Sequence, residues 1–314
     1  MEFFRKETNF DFMGWRRVAV GVSIALMLAS IALLAVRGLN YGIDFTGGTL
    51  VEAQFAEPTS VSDVRTALDA GCFEGARVQG LGGAREVAIR LAPKASASNN
   101  NKDQLANQVR AALATKFPGV TIKPGVFVGP QVGEELRTQG LVAAIFVIIG
   151  IVVYIGLRFE WRFAVASIAA EIHDTLLTLG FLALTQRDFD LTALAAVLSV
   201  IGYSINDKVV VFDRVREIFR GARKLDPEGV INKAVNNTLS RTIMTGLTTS
   251  LAVGSLYLFG GPAVEGFGII MIVGIVIGTF SSVFFANPIL LWLGVSKKDL
   301  LKVTREDPEL LRRP

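Results

Sequence analysis

Charged side chains occur inside stretches of this 314-residue chain that are otherwise apolar enough to cross a membrane. The stretch YSINDKVVVFDRVR at 203–216 places Asp207 beside Lys208, directly after the apolar run LTALAAVLSVIG. An ionisable side chain costs about 2.5–3.5 kcal/mol at the middle of a membrane helix on insertion scales, so such residues usually mark functional sites. The chemistry open to a carboxylate in this position is the uptake and release of protons.

A second apolar stretch, AVASIAAEIHDTLLTLG at 164–180, holds further ionisable groups. Its polar face has the helical spacing i, i+3, i+4 and i+7 and consists of Glu171, Asp174, Thr175 and Thr178. Asp174 lies close to the middle of the stretch, where it could handle protons or belong to a buried polar face that joins helices. His173, the one histidine, lies about 100° round the helix, and we favour a structural role for it over proton handling.

A third stretch, TLSRTIMTGLTTSLAVG at 238–254, carries one polar stripe at helical spacing. The stripe consists of Thr238, Arg241, Thr242, Thr245, Thr248 and Thr249. Threonines also act as packing contacts between membrane helices, so a structural and a functional role both stay open for them.

Asp207 and Arg241 fall near the same end of their apolar stretches, so an ion pair between them is possible. Such a pair keeps the carboxylate ionised, and breaking the pair lets a desolvated carboxylate take up a proton. Tyr203 precedes Asp207 by one helical turn on the same face, and Asn206 borders it. The alternative is a static pair that only fixes helix packing.

The elements that must position these residues are membrane helices, because the chain is 51% hydrophobic and has a mean hydropathy of +0.47. About 20 apolar residues cross the hydrocarbon core. Six stretches are predicted to do so, at 18–36, 139–157, 163–185, 191–212, 242–259 and 267–293. The first is too long for a signal-peptide core and has no cleavage site after it, so we expect a retained anchor.

Lysine and arginine set the expected orientation, since they collect in cytoplasmic segments. They are concentrated at 1–17, 158–162, 213–241 and 295–314, and these four segments share one side if all six helices are real. Both termini are therefore predicted to be cytoplasmic. The segment at 213–241 is predicted to form amphipathic helices along the cytoplasmic surface, with transmembrane helices 2–6 spread over 136–294.

Residues 37–135 remain as one domain on the opposite, extracytoplasmic side. Alternating and helical patterns follow in the order strand–helix–strand–strand–helix–strand, which is typical of a ferredoxin-like α+β domain. A helix is predicted at 60–71, with Ser60 as its N-cap. The polar tract ASASNNN at 95–101 is predicted to be a loop.

Four motifs in the same order resemble the SecF family of the RND superfamily. They are YGIDFTGGTLVE, RFEWRFAVASIAAEIHDTLLTLGF, IGYSINDKVVVFDRVRE and NNTLSRTIMTGLTTSLAV. The resemblance extends over nearly the whole chain and implies an RND-type half of six transmembrane helices. It also implies location in the bacterial cytoplasmic (inner) membrane.

The resemblance further implies an auxiliary, non-enzymatic subunit of protein export. SecD would be its obligate partner, with the SecYEG channel and an unfolded preprotein on the extracytoplasmic side as further contacts. The proton gradient would drive the process, with Asp207 and Arg241 in the proton-linked positions and with Asp174, Asn206, Lys208 and Tyr203 as possible accessory members. Protons are the coupling ion, and no cofactor is expected. The DFTGG motif, with Asp44, Gly47 and Gly48, is interpreted as a structural, bulged entry into a strand.

Lys208 departs from the family pattern, in which threonine often follows the aspartate. Three explanations stay open: Lys208 could extend to the cytoplasmic interface, pair with an acid on SecD, or hold Asp207 ionised.

Two competing functions are an RND-type exporter of small molecules or lipids and a passive scaffold that holds SecD. Six helices and one outer domain make only half of such an exporter. The sequence has no G-x-x-x-x-G-K-[ST] loop of an ATPase, no Cys/His cluster with metal spacing, and no charge distribution that indicates nucleic acid.

Overall fold

The structure is a computed structural model, and it describes residues 8–73, 75–81, 84–92, 102–123, 125–221 and 226–296. The predicted loop at 95–101, most of the C-terminal tail and the first seven residues lie outside the described residues. The long helices are α1 (Arg16–Val36), α5 (Pro130–Arg158), α6 (Trp161–Thr185), α7 (Leu191–Gly221), α8 (Pro227–Phe259) and α9 (Pro262–Ser281). A π-helix at Ser282–Ala286 joins α9 to α10 (Asn287–Trp292).

Within the described residues, six helical segments are long and apolar enough to cross a membrane, which confirms the predicted number. They are Met13–Val36, Pro130–Arg158, Trp161–Thr185, Leu191–Gly221, Pro227–Phe259 and Ala263–Trp292. A 3₁₀ turn at Met13–Trp15 leads into the first of them. Helices α5, α8 and α9 each begin with a proline, which suits the first helical turn because its missing N–H has no partner there in any case.

The structure differs from the prediction at 213–241, where separate surface helices were expected. The polar residues up to Gly221 continue α7, and those from Pro227 onward begin α8. These polar segments are helical, and they extend the long helices α7 and α8 because the backbone hydrogen bonding of each helix continues into them. The N-terminal segment packs against this region through a 2.6 Å ion pair between Arg16 and Glu228. It thus lies on the same side of the bundle, as the charge distribution predicts.

The folded domain contains the predicted elements in the predicted order. Its parts are β2 (Gly48–Gln54), α3 (Val61–Ala70), β3 (Arg77–Gly80), β4 (Glu86–Leu91), α4 (Lys102–Ala114), β5 (Thr121–Ile122) and β6 (Val126–Val128). The antiparallel sheet has the order β3-β4-β2-β5, and β6 also pairs with β2, so the expected last strand is split in two. Ser60 caps α3 as predicted, because its hydroxyl accepts from the Asp63 amide at 3.1 Å.

Backbone contacts at two places help to join the domain to the helices. Strand β1 (Asn40–Tyr41) pairs in parallel with β7 (Asp188–Phe189), which lies between α6 and α7. Behind β1, the one-turn helix α2 (Ile43–Thr46) ends at Gly47, whose backbone lies against the start of α5. A side-chain carbon added at Gly133 would lie 2.8 Å from the Gly47 nitrogen, so only glycine fits this contact.

Helices α7 and α9 approach closely along a line of small residues. A Cβ added at Gly274 would overlap the side chain of Val200, and one added at Gly278 would lie 2.7 Å from the Ser204 hydroxyl. Small residues at four-residue spacing let membrane helices pack backbone to backbone. This close approach positions the polar side chains of α7 and α9 for the contacts described next.

Candidate functional site

Lys208 lies in a buried ion-pair cluster between α6 and α7. Its side chain is fully buried, and its Nζ donates to Glu171 Oε1 at 2.6 Å and to Asp174 Oδ2 at 2.7 Å. It also contacts the Ser204 hydroxyl at 2.7 Å, one turn earlier on its own helix. Two carboxylates thus surround one ammonium group, at a depth where an uncompensated charge is costly.

Asp174 is the most heavily hydrogen-bonded carboxylate of this cluster. Besides Lys208, its Oδ2 accepts from Ser204 and from Ser281, the latter at 2.7 Å. Its Oδ1 lies 2.7 Å from Nδ1 of His173, whose ring stacks on Phe285 at 4.3 Å between centroids. Asp174 on α6 therefore contacts side chains of α7 and α9. Its other oxygen contacts His173, the preceding residue of α6.

Asp207 forms a second polar centre, between α7, α8 and the π-helix. Its side chain is 6% exposed. Oδ1 accepts from the Thr242 hydroxyl at 2.6 Å, and Oδ2 accepts from the Ser282 hydroxyl. Of the threonine stripe on α8, Thr242 is the member that contacts the predicted aspartate.

The two centres meet at neighbouring residues of the last membrane helix. Ser281 donates to Asp174, and Ser282, the next residue, donates to Asp207. The helix changes from α to π at this point, and Asn287 donates to the Ser282 carbonyl at 2.6 Å. Single π turns inside α-helices are frequent at functional sites, because they turn side chains away from the regular helical register.

The expected ion pair between Asp207 and Arg241 is not formed in the described structure. Arg241 is exposed. The hydroxyls of Thr242 and Ser282 occupy the hydrogen-bonding positions on Asp207 instead. Asn206 is exposed, and Tyr203 is half-buried with its hydroxyl towards Thr245 and Thr279.

The structure also distinguishes between the three explanations for Lys208. Lys208 does not extend to the membrane surface, since it is fully buried. It does not need an acid from another protein, since Glu171 and Asp174 of this chain surround it. Asp207 is its direct neighbour in sequence, but the hydrogen bonds of Lys208 go to α6 and to Ser204, which turns it away from Asp207.

One oxygen of the cluster has no partner. Glu171 Oε2 is buried without a hydrogen bond, as is His173 Nε2. Glu171 also lines an apolar groove of about 290 Å³ between α5 and α6, beside Thr175. Glu171 is thus the member of the cluster that lies closest to the outer surface of the helix bundle.

The DFTGG residues do not form the expected bulged entry into a strand. Asp44 lies in the one-turn helix α2, and its Oδ2 accepts from the Leu191 amide at 3.1 Å, at the start of α7. Gly47 and Gly48 have φ values of +70° and +124°, which strongly favour glycine. The motif therefore ties the domain to the fourth membrane helix.

Sequence reasoning missed the hydroxyl groups that hold the two aspartates. Ser204, Ser281 and Ser282 look like ordinary small residues of membrane helices, and their function depends on which helices pack together. The sequence pattern put Glu171 on the same helical face as Asp174, but it did not identify Glu171 as a member of the site. Within the described part of the chain, no cluster of three or more His, Cys, Asp or Glu side chains could hold a metal ion.

Two family descriptions match the chain. Residues 108–296 match "Protein export membrane protein SecD/SecF, C-terminal", and residues 32–59 match "SecD/SecF GG Motif". The second range contains the DFTGG residues.

Curated relatives are similar over the full length. "Protein translocase subunit SecF" from Vibrio alginolyticus is 41% identical over 100% of this chain and 99% of its own length. The protein of the same name from Pseudomonas aeruginosa is 41% identical over 95% of this chain and 96% of its own length.

Solved structures of SecDF show the same fold. The crystal structure of SecDF from Thermus, a translocon-associated membrane protein, fits with a TM-score of 0.82 at 32% identity. The match covers 93% of this chain and 39% of that longer chain. SecDF in a super-membrane-facing form fits with a TM-score of 0.66 at 34% identity, over 93% and 40% of the two chains. This chain is therefore similar to a little under half of SecDF.

Proposed function

The chain belongs to the SecD/SecF family of protein export membrane proteins, as a SecF-type translocase subunit, and from this premise we propose that it couples the proton gradient to protein export. In this proposal SecD is its partner, the SecYEG channel delivers the emerging preprotein, and the protein lies in the cytoplasmic (inner) membrane of a bacterium. Both termini are cytoplasmic, and residues 37–135 face the opposite side.

The observation that carries the proposal is the pair of buried aspartates held by adjacent serines. Asp174 and Asp207 are 0% and 6% exposed, and their contacts to Ser281 and Ser282 meet at the π-helix. A packing role alone does not need ionisable groups, because hydroxyls and small residues join membrane helices at lower cost.

The charge count of the cluster supports proton binding. Glu171, Asp174 and Lys208, all ionised, carry one net negative charge in a buried position. Asp174 has hydrogen-bond donors on both oxygens, whereas Glu171 has one oxygen without a donor. An arriving proton would therefore bind to Glu171, while Lys208 and Asp174 stay paired.

Protonation of Asp207 would change the geometry at the π-helix. An ionised carboxylate only accepts hydrogen bonds, whereas a protonated one also donates. One of the two hydroxyls on Asp207, from Thr242 or Ser282, would have to turn from donor to acceptor. Because Ser282 begins the π-helix and its neighbour Ser281 holds Asp174, this change would move the contact between α7 and α9. Movement of membrane helices would in turn reach the folded domain through α7 and β7.

Arg241 keeps a role in this proposal, although it does not pair with Asp207 in the described arrangement. It directly precedes Thr242 and is exposed, so it stands between the polar site and the surroundings of the helix bundle. We propose that it acts on the route of the proton rather than as a fixed partner of Asp207. Tyr203 and Asn206 would line that route, with Asn206 on the exposed side.

The test is proton flux and export in liposomes that contain this chain, SecD and the SecYEG channel. Asp207→Asn is expected to assemble normally and to lose gradient-dependent stimulation of export, and Arg241→Met is expected to reduce it strongly. Asp213→Asn is the matched control, since this aspartate is on the same helix but forms only partly exposed ion pairs, with Arg158 and Arg216. Full stimulation in Asp207→Asn would exclude the proton role and favour a scaffold that only holds SecD.

A further inference from the structure

A basic cavity of about 590 Å³ lies between the folded domain and the ends of two membrane helices. Four parts of the chain form its walls: the segment after α1, the helix α3, the strands β3 and β4, and the segment after α6. Five arginines line it, and they are Arg37, Arg65, Arg77, Arg90 and Arg187. We call this cavity the arginine cleft.

Two of the five arginines have a carboxylate partner. Arg90 pairs with Asp188, which also lines the cleft, and Arg187 lies 3.3 Å from Glu265. Across the described residues, the other three have no carboxylate within ion-pair distance. The cleft therefore carries an excess of positive charge.

Two of these three arginines, Arg37 and Arg77, are held in place by neutral groups. Arg37 donates to the Leu184 carbonyl at 3.0 Å, and Arg77 donates to the Asn40 side-chain oxygen at 2.7 Å. A guanidinium has five N–H donors in a planar fork, so these single bonds leave most donors available. Like charges around one cavity repel, and a bound anion would remove that repulsion.

The position of the cleft indicates what anion it binds. Arg37 directly follows Val36, the last residue of α1, which is 84% exposed. Further along the same helix, Leu28 and Ile31 are 62% and 50% exposed, so an open apolar surface leads away from the cleft. Phosphate with apolar chains beneath it is the chemistry of a phospholipid, and arginine matches phosphate oxygens with two parallel hydrogen bonds.

The sequence supports a specific purpose for these charges. Short loops on the outer side of a membrane protein usually contain few lysines and arginines. Arg37 and Arg187 nevertheless flank membrane helices on the side of the folded domain. We propose that the arginine cleft binds the phosphate group of an anionic phospholipid whose acyl chains lie along α1. The lipid would connect the domain to the surrounding leaflet, a role independent of the proton site.

The test measures lipid retention by the full chain. The chain is placed in nanodiscs of phosphatidylcholine with a small fraction of phosphatidylglycerol, released into the gas phase, and weighed by native mass spectrometry. Wild type is expected to retain one phosphatidylglycerol, at least tenfold in preference to phosphatidylcholine. The double variant Arg65→Gln and Arg77→Gln is expected to lose this preference. Arg110→Gln, an exposed arginine of α4 outside the cleft, is the matched control and should retain it.

Several outcomes would overturn the proposal. Equal retention of both lipids by wild type, or unchanged retention by the double variant, would mean that the cleft holds no lipid phosphate. Displacement of the lipid by millimolar inorganic phosphate would assign the cleft to a free anion. Displacement by an acidic peptide alone would assign it to a protein segment. Thermal melting of each variant checks that a loss of lipid does not come from unfolding. The single charge reversal Arg77→Glu is a second variant that is expected to lose the bound phosphatidylglycerol.

Discussion

At the scale of single residues, Lys208 compensates the charge of the buried cluster. Removing one partner of a buried ion pair typically costs about 3–5 kcal/mol, because the remaining charge is left without compensation. Lys208→Met leaves two carboxylates at one site, so we expect a strongly destabilised protein in thermal unfolding in detergent. Adding Glu171→Gln should restore part of the stability, with a coupling energy of about 1–3 kcal/mol between the two positions. Additive effects of the two changes would contradict the cluster.

The hydroxyls on Asp207 give a second prediction at this scale. Thr242→Val keeps the shape of the side chain but removes the donor to Asp207 Oδ1. We expect normal insertion and assembly with SecD but at least a fivefold loss of gradient-dependent export, since one hydrogen bond to a charged group is worth about 1.5–3 kcal/mol. Thr248→Val is the control, because the Thr248 hydroxyl only bonds to backbone carbonyls of its own helix. Equal effects of both changes would show that the contact with Asp207 has no special role.

At the scale of elements, the contact between α7 and α9 fixes the distance between the two polar centres. Gly278→Ala would place a carbon 2.7 Å from the Ser204 hydroxyl, which donates to Asp174. Overpacking of this kind costs about 1–3 kcal/mol, so we expect a lower unfolding temperature together with reduced export. Gly254→Ala, on α8, has open space around the added carbon and should leave both properties unchanged. A neutral Gly278→Ala would mean that the helices can separate without loss.

The start of α7 depends on a residue of the DFTGG motif. Asp44 accepts from the Leu191 amide, and Asp190 accepts from the Ala193 amide at 2.7 Å. Asp44→Ala removes one cap from outside the helix, and loss of a cap costs about 0.5–2 kcal/mol. We expect protease sensitivity to increase near β7, while Asp69→Ala, an exposed position on α3, has no such effect. Unchanged proteolysis would show that the β1–β7 pairing holds the domain without Asp44.

The elements were largely predictable from the sequence, whereas the contacts within the site were not. The lengths of the apolar stretches predict six membrane helices. The Ser60 cap and the alternating pattern of β2 predict elements of the folded domain. These signals are local in sequence, so they can be recognised without knowing the packing. The partners of Lys208 depend on how α6 packs against α7. The contact of Ser282 with Asp207 depends on a π turn that no sequence pattern predicts. Arg241 and Asp207 were expected to pair because both lie near one end of their helices, but depth alone does not determine which side chains face each other.

At the scale of the whole molecule, a ladder of two residue pairs between β1 and β7 is one of the contacts that join the domain to the helix bundle. Tyr41 and Phe189 are register partners in this parallel pairing. Parallel neighbours lie about 4.8 Å apart, which is within the usual Cα range of a disulfide. The two SecDF structures fit this chain unequally, which indicates that their overall arrangements differ. If the domain must move relative to the helices during export, the ladder is a place where the movement can be stopped.

A reversible disulfide between β1 and β7 tests whether the domain must move at this junction during export. Cysteines at Tyr41 and Phe189, with the native exposed Cys72 changed to serine, should form a disulfide on oxidation. We expect the oxidised protein to lose most of its stimulation of export and to regain it on reduction, while assembly with SecD persists in both states. Each single cysteine variant is the control and should not respond to oxidant. Full export by the oxidised double variant would show that this attachment stays closed throughout the working cycle, so that any movement of the domain would have to arise within the sheet and not at its junction with the membrane helices.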